Sequence, residues 1–162
     1  MSQAPAPLVA VLMGSTSDWE TMQHCSSMLN ELGVPHECHA ISAHRQPSAL
    51  HAFVGDAEKR GVKVFIGAAG GAAHLPGVLA SLTARPVLGV PMKGWATEGM
   101  DALLSIAQMP GGVPVGTLAI GKAGAKNAAI LAAQILGISN PTIEGAVKTL
   151  RERQAGGATR LA

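Results

Sequence analysis

Short apolar runs recur along this chain, each followed by a loop of small or polar residues and then by a segment of helical periodicity. Leu8 to Met13 is apolar throughout, the mark of a strand covered on both faces. Asp18 to Leu32 then carries Met22, Cys25, Leu29 and Leu32 at helical spacing, with Gly33 as a stop. His36 to Ile41 predicts a second strand of weaker pattern. Pro47 opens a helix whose stripe is Leu50, Phe53, Val54 and Ala57. Val62 to Gly67 and Pro86 to Val90 predict the third and fourth strands, around a helix from about Pro76 to Thr83. A helix over Met100 to Gln108 precedes a fifth strand, Val115 to Ile120. An Ala-rich helix ending at Leu136 and a last helix from Pro141 to about Gln154 complete the series.

Strands alternating with helices mean βαβ units, a parallel sheet and right-handed crossovers, so the fold class is α/β. The 162 residues suit one domain, with a core over about 8–137, a C-terminal helix over about 141–154 and a flexible tail at 156–162. Composition agrees. The chain is 48% hydrophobic but 2% aromatic, with 20 Gly, so its interior must be Ala, Val, Leu and Ile at close approach. Net charge is only +2 and the basic residues are scattered, which with so few aromatics argues against nucleic acid as a partner. Cys25 and Cys38 make no disulfide framework. The first seven residues lack the charged and apolar regions of a signal peptide, and no long apolar run is uninterrupted by Lys, Asn or Gln. A cytoplasmic protein that does not enter membranes is expected.

Ligands of open parallel sheets bind outside the carboxyl ends of the strands, and that rule selects three loops. The first is Gly14-Ser15-Thr16-Ser17-Asp18, where a tight turn, hydroxyls and free N–H groups suit an anionic oxygen. Asp18 would repel phosphate but accepts hydrogen bonds from ribose hydroxyls. Ser17 or Asp18 as a plain helix cap explains the same loop equally well. The second, Ser42-Ala43-His44-Arg45-Gln46-Pro47, offers a guanidinium fork for phosphate and an imidazole able to give and take a proton near neutral pH. The third, Gly67 to Gly77, is rich in Gly and Ala and includes Gly70, Gly71, Ala72, His74 and Leu75. Its backbone amides can meet a flat ligand and its carboxylate, although it is not a dinucleotide fingerprint. Farther on, Pro91 to Gly99 is long enough for a lid, and the proline-stiffened Gln108 to Pro114 is expected to shape a wall.

Other motifs fail on inspection. Gly116 to Ala123 nearly spells a phosphate-binding P-loop, but Ala123 lacks the magnesium-ligating hydroxyl and the residues between the glycines suggest the fifth strand. His36, Cys38 and His39 invite a metal, yet residues 36 and 39 of a strand face opposite ways. No metal site is expected.

Four segments together resemble class I N5-carboxyaminoimidazole ribonucleotide mutases, the phosphoribosylaminoimidazole carboxylase catalytic subunit family. They are Gly14 to Trp19, Ser42 to Pro47, Gly70 to Gly77 and Gln108 to Thr117. The likeness runs from about Val9 to Gly137. It implies a three-layer, flavodoxin-like parallel sheet flanked by helices, a homo-octamer, and no metal or organic cofactor. It also implies an isomerase of purine synthesis that moves the carbamate of N5-carboxyaminoimidazole ribonucleotide to carbon 4 of the ring, by decarboxylation and recarboxylation. By that resemblance His44 is the general acid and base, and Ser15, Asp18 and Arg45 bind the nucleotide. Gly14 and Ser17 belong with them. Ser42, Ala43, Gly70, Gly71, Ala72, His74 and Leu75 lie near the base and the migrating carboxylate. Gln46 and the Lys93-Gly94-Trp95 stretch depart from the family pattern. Two other readings share the scaffold: a carboxylase acting on aminoimidazole ribonucleotide with free carbon dioxide, and a non-catalytic nucleotide sensor.

Overall fold

A computed structural model of the chain describes residues 5–94 and 96–156. Its centre is strand β1 (Val9–Met13), all five residues of which are buried. β1 pairs in parallel with β2 (His36–Ala40) on one side and with β3 (Val64–Ala69) on the other. β3 continues to β4 (Val87–Pro91) and β4 to the short β5 (Gly116–Thr117), giving the order β2-β1-β3-β4-β5. That is the flavodoxin-like order of an open α/β sheet.

Alternation along the strands divides the core into two layers. Val9, Val11 and Met13, with Val64, Ile66 and Ala68, face α1 (Trp19–Glu31), α5 (Lys122–Gly137) and α6 (Pro141–Ala155). Ala10, Leu12 and Phe65 face α2 (Pro47–Arg60), α3 (Leu75–Leu82) and α4 (Met100–Ala107). The result is helices on both faces of one sheet. None of the described helices is long and apolar enough to cross a membrane.

The helix ends follow local chemistry. Pro47 and Pro141 sit in first turns, where a missing N–H is harmless. Gly33 and Gly61, at φ +67° and +105°, turn the chain after α1 and α2. The Asn140 side chain accepts from Thr142 N–H at 3.1 Å and Ile143 N–H at 3.3 Å.

Two strands differ from expectation. β3 begins two residues late, because the Val62 N–H is still taken by Ala57 in closing α2 at 3.0 Å, and it runs on to Ala69, which pairs with Pro91 and whose carbonyl accepts from Met92 N–H at 2.9 Å. The fifth strand covers Gly116–Thr117 rather than Val115 to Ile120. Beyond it Leu118 N–H still donates to Gly89 at 2.9 Å and Gly121 N–H to Pro91 at 2.8 Å, but between them the Ala119 carbonyl turns against Gly124, where a Cβ would collide with it, so the segment stays beside β4 without regular strand pairing. The stretch before Gly121 is therefore mostly loop, which corrects one ground for setting the near-P-loop aside; the missing hydroxyl at Ala123 remains. The expected tail falls largely on residues 157–162, and Trp95 of the expected lid is also outside the described residues.

In the middle of the sheet Gly67 and Gly89 are register partners on β3 and β4. A Cβ on Gly67 would meet Pro76 Cα at 3.2 Å, and one on Gly89 would strike the Ile106 side chain and sit 3.4 Å from Pro76 Cβ. This glycine pair is the seat into which α3 and α4 settle. Gly89→Ala is expected to destabilise the protein by about 1–3 kcal/mol, the usual range for overpacking. Gly55→Ala, at an exposed position of α2 where an added Cβ meets nothing, is expected to stabilise by roughly 0.5–1 kcal/mol. Urea midpoints moving the same way in both variants would contradict this account.

Candidate functional site

Because β2, β1 and β3 are neighbours, the loops leaving their carboxyl ends emerge side by side. Together they form a cleft of about 370 Å³. Its walls include Gly14, Ser15, Ser17 and Asp18 from the first loop and Ser42, Ala43, His44 and Arg45 from the second. Ala69, Gly70, Ala72, His74 and Leu75 come from the third. Of the site residues expected from sequence, only Gly71 is absent from the wall; it is buried in the turn at φ +61°. Ala69, the last residue of β3, lines the cleft although nothing in its side chain announces it. Only its place, at a strand end before Gly70, carried that signal.

Each loop is shaped by its own polar groups. Ser15 Oγ accepts from Ser17 N–H at 3.2 Å and from the Ser17 hydroxyl at 2.9 Å, which leaves its own proton for a ligand. A short 3-10 turn, Thr16–Asp18, leads into α1. Asp18 stands at the helix start but makes no side-chain capping bond. Capping therefore accounts for Ser15, not for Asp18. In the second loop, Arg45 N–H donates to Ser42 Oγ at 3.2 Å, and Arg45 Nη2 reaches across to the Gly14 carbonyl at 3.0 Å. This bond joins the first two loops and holds the guanidinium at the cleft. In the third loop, the N–H groups of Gly70, Gly71 and Ala72 donate to no acceptor among the described residues. A ligand carboxylate can take them without any cation.

His44 and His74 meet edge to face, with ring centroids 4.9 Å apart and His44 Nε2 2.7 Å from His74 Nδ1. One ring must donate to the other, so the contact holds a single proton between two nitrogens. The cleft thus contains one fixed cation, a carboxylate, a free hydroxyl, unused amides and a proton-carrying imidazole pair.

Other expectations are placed elsewhere. Gln108 to Pro114 does not border the cleft: Gly112 and Pro114 line a separate hollow with Thr83 to Leu88, beside the start of β4. Met109 instead backs Gly77 of α3. The Pro91 to Gly99 loop is crossed by the Lys93–Glu98 ion pair at 2.9 Å. His36 and His39 occupy opposite faces of β2. His36 binds Ser26 of α1 at 2.8 Å, whereas His39 packs at a tilt of 56° against Phe53 of α2 with centroids 4.6 Å apart. No cluster of three His, Cys, Asp or Glu side chains among the described residues is placed to hold a metal ion.

Comparison with known proteins adds a family to this geometry. The sequence profile of the family described as AIR carboxylase matches residues 8–156. The chain is 55% identical over 147 residues to the N5-carboxyaminoimidazole ribonucleotide mutase of Pseudomonas aeruginosa, covering 91% of this chain and 90% of that one. It is 60% identical over 130 residues to the Bacillus subtilis protein of the same name, covering 80% of each. Among solved structures, Treponema denticola PurE superposes with a TM-score of 0.84 at 28% identity, over 92% of both chains.

Burial pushes the Asp18 carboxyl above the usual carboxylate range, against the downward pull of the Ser15 backbone. A carboxyl raised in the folded state is ionised at a cost at neutral pH, and that cost disappears once the pH falls below its unfolded value. Asp18→Asn is therefore expected to raise the thermal midpoint at pH 7 by on the order of 1–2 °C, the gain fading as the pH approaches about 4, while nucleotide binding weakens. Calorimetry showing a lower midpoint at pH 7 would refute this reading of Asp18.

Proposed function

The chain belongs to the AIR carboxylase family, and from that premise we propose that it is an isomerase of purine synthesis with His44 as its proton carrier. It converts N5-carboxyaminoimidazole ribonucleotide to 4-carboxy-5-aminoimidazole ribonucleotide. The observation that carries the reading is the placement of His44 in one cleft with Arg45 and Asp18, beside Gly70 and Ala72, whose amides donate to no acceptor among the described residues.

The chemistry accounts for the residue types. The aminoimidazole ring is enamine-like and already nucleophilic at carbon 4, so the reaction asks for no covalent nucleophile, metal or organic cofactor. It asks for a proton at the departing nitrogen and a base for the carbon 4 hydrogen. His44 donates a proton to the exocyclic nitrogen as the carbamate C–N bond breaks, releasing carbon dioxide into the cleft. Carbon 4 then attacks carbon dioxide, and its proton returns to His44. The proton balance closes within the cycle, as an isomerisation requires. A positioned acid–base group contributes ~10²–10⁴ in rate, and confinement of the carbon dioxide supplies proximity.

The nucleotide is held by its other end. Arg45 binds the phosphate as a fixed fork, Ser15 donates its hydroxyl proton, and Asp18 accepts from ribose hydroxyls. Gly14 and Ser17 shape that end. Ser42, Ala43, Gly70, Ala72, His74 and Leu75 enclose the base and the carboxylate, and Gly71 sets the turn. The chain acts as one domain in a cytoplasmic homo-octamer. Met100 and Leu104 of α4 and Ile138 after α5, which are 51%, 52% and 86% exposed, support burial against further copies. Light scattering is expected to return the mass of eight chains, and a monomer mass would refute the assembly.

His44→Asn is expected to lower turnover by at least ~10²-fold while nucleotide affinity stays within roughly tenfold. Retained activity would overturn the proton role. Arg45→Ala is expected to weaken phosphorylated ligands selectively; equal affinity of the wild type for the unphosphorylated nucleoside would contradict a phosphate site. Turnover of aminoimidazole ribonucleotide at low bicarbonate, with none of the carbamate, would instead identify a carboxylase. Binding without turnover of either substrate would identify a sensor.

A further inference from the structure

Gln46 lies outside the cleft wall, yet it closes the loop that carries His44 and Arg45. It is the residue before Pro47, where a short Ser, Thr, Asp or Asn side chain normally accepts an N–H of the first helical turn. Gln46 makes no such bond. Its carboxamide Oε1 turns back and accepts the Ser42 N–H at 3.1 Å. Its backbone N–H donates to the Ser42 carbonyl at 2.9 Å, and its carbonyl accepts from Leu50 N–H at 3.0 Å as the first bond of α2. Both main-chain groups of Ser42 are thus taken by one residue. Ser42 itself is only 6% exposed, and the preceding Ile41 is tied to β1 through Met13 at 2.9 Å.

We propose that Gln46 is a positioning residue, whose carboxamide oxygen clasps Ser42 N–H and thereby sets the direction in which His44 is presented to the substrate. The proposal rests on the reading of His44 as the proton carrier. Without the acceptor, a buried N–H loses its partner and the five-residue loop must open to water or rearrange. Arg45 has an independent hold through its Nη2 bond to Gly14. Among the described residues the one side-chain hydrogen bond His44 makes is to His74. Loosening the clasp therefore reaches the proton carrier more than the phosphate fork. Misplaced catalytic groups lose rate steeply with small displacements.

The test compares wild type, Gln46→Met, Gln46→Asn and Gln46→Glu as full-length proteins, measuring kcat and KM with the carbamate nucleotide at pH 8. Methionine keeps the length and removes the acceptor, and asparagine keeps the amide but shortens it. Ionised glutamate keeps an oxygen in place. Expected is a drop in kcat of about tenfold for Met and Asn, the usual net effect of one lost hydrogen bond. KM should stay within about threefold. Gln46→Glu should keep at least half of the wild-type kcat. A Met variant within twofold of wild type, or a Glu variant falling as far as Met, overturns the proposal.

A second readout needs no turnover. The His44 imidazole Cε1–H resonance, assigned by its loss in His44→Asn, is expected to shift in Gln46→Met and to hold in Gln46→Glu. An unchanged resonance in both overturns the positioning role even if the protein proves inactive. Conversely, inactivity of the wild type, with that shift present, would overturn the functional reading alone.

Discussion

The parallel pairing of β1 with both β2 and β3 is the constraint on which everything functional depends. Five consecutive residues of β1 have a register partner on each side, so three loops that are distant in sequence must leave the sheet at adjacent points. The ladder continues into the loops themselves. Gly14 N–H still donates to Ala68 at 3.1 Å and Ile41 N–H to Met13 at 2.9 Å. The cleft is therefore floored by main-chain hydrogen bonds. Its side chains add charge and hydrogen-bonding groups to that floor.

A second constraint comes from small residues. Gly67 and Gly89 pair across β3 and β4, leaving a shallow place where Pro76 and the start of α3 lie close to the sheet. The approach of α3 sets the height of His74 just before it, and His74 is the contact His44 makes across the cleft. Core packing thereby reaches the chemistry through one helix. Scarcity of aromatics follows the same logic, since glycine contacts leave room for Ala, Val, Leu and Ile but little for larger rings.

The site also carries a stability penalty of a recognisable kind. Asp18 is held partly buried without using its carboxylate as a cap, and burial raises its pKa. A carboxyl held in this way costs stability wherever it is ionised. Arg45, by contrast, is held by the Gly14 carbonyl before any ligand arrives, so little of its freedom remains to be lost on binding.

The alternation of apolar runs with helical stripes determined the α/β class and most element boundaries, because period and capping are local properties. The same local rules placed Ser15, Asp18, His44, Arg45 and His74 at strand ends, and residue chemistry pointed to a proton carrier in His44 and a phosphate fork in Arg45, while a plain helix cap explained the first loop equally well. The four shared segments narrowed that chemistry to one family. Tertiary structure decided the rest. The length of β5 and the path of Gln108 to Pro114 depend on what lies against them, Gly124 and Gly77 respectively, and no periodicity encodes such contacts. The pairing of His44 with His74 joins residues thirty positions apart. The clasp of Gln46 on Ser42 is short in sequence, but a glutamine before a helix does not say whether its amide turns to the helix, to solvent or back into the loop. That choice is made by a Ser42 N–H that would otherwise lack a partner in a buried place, and burial is a property of the folded chain.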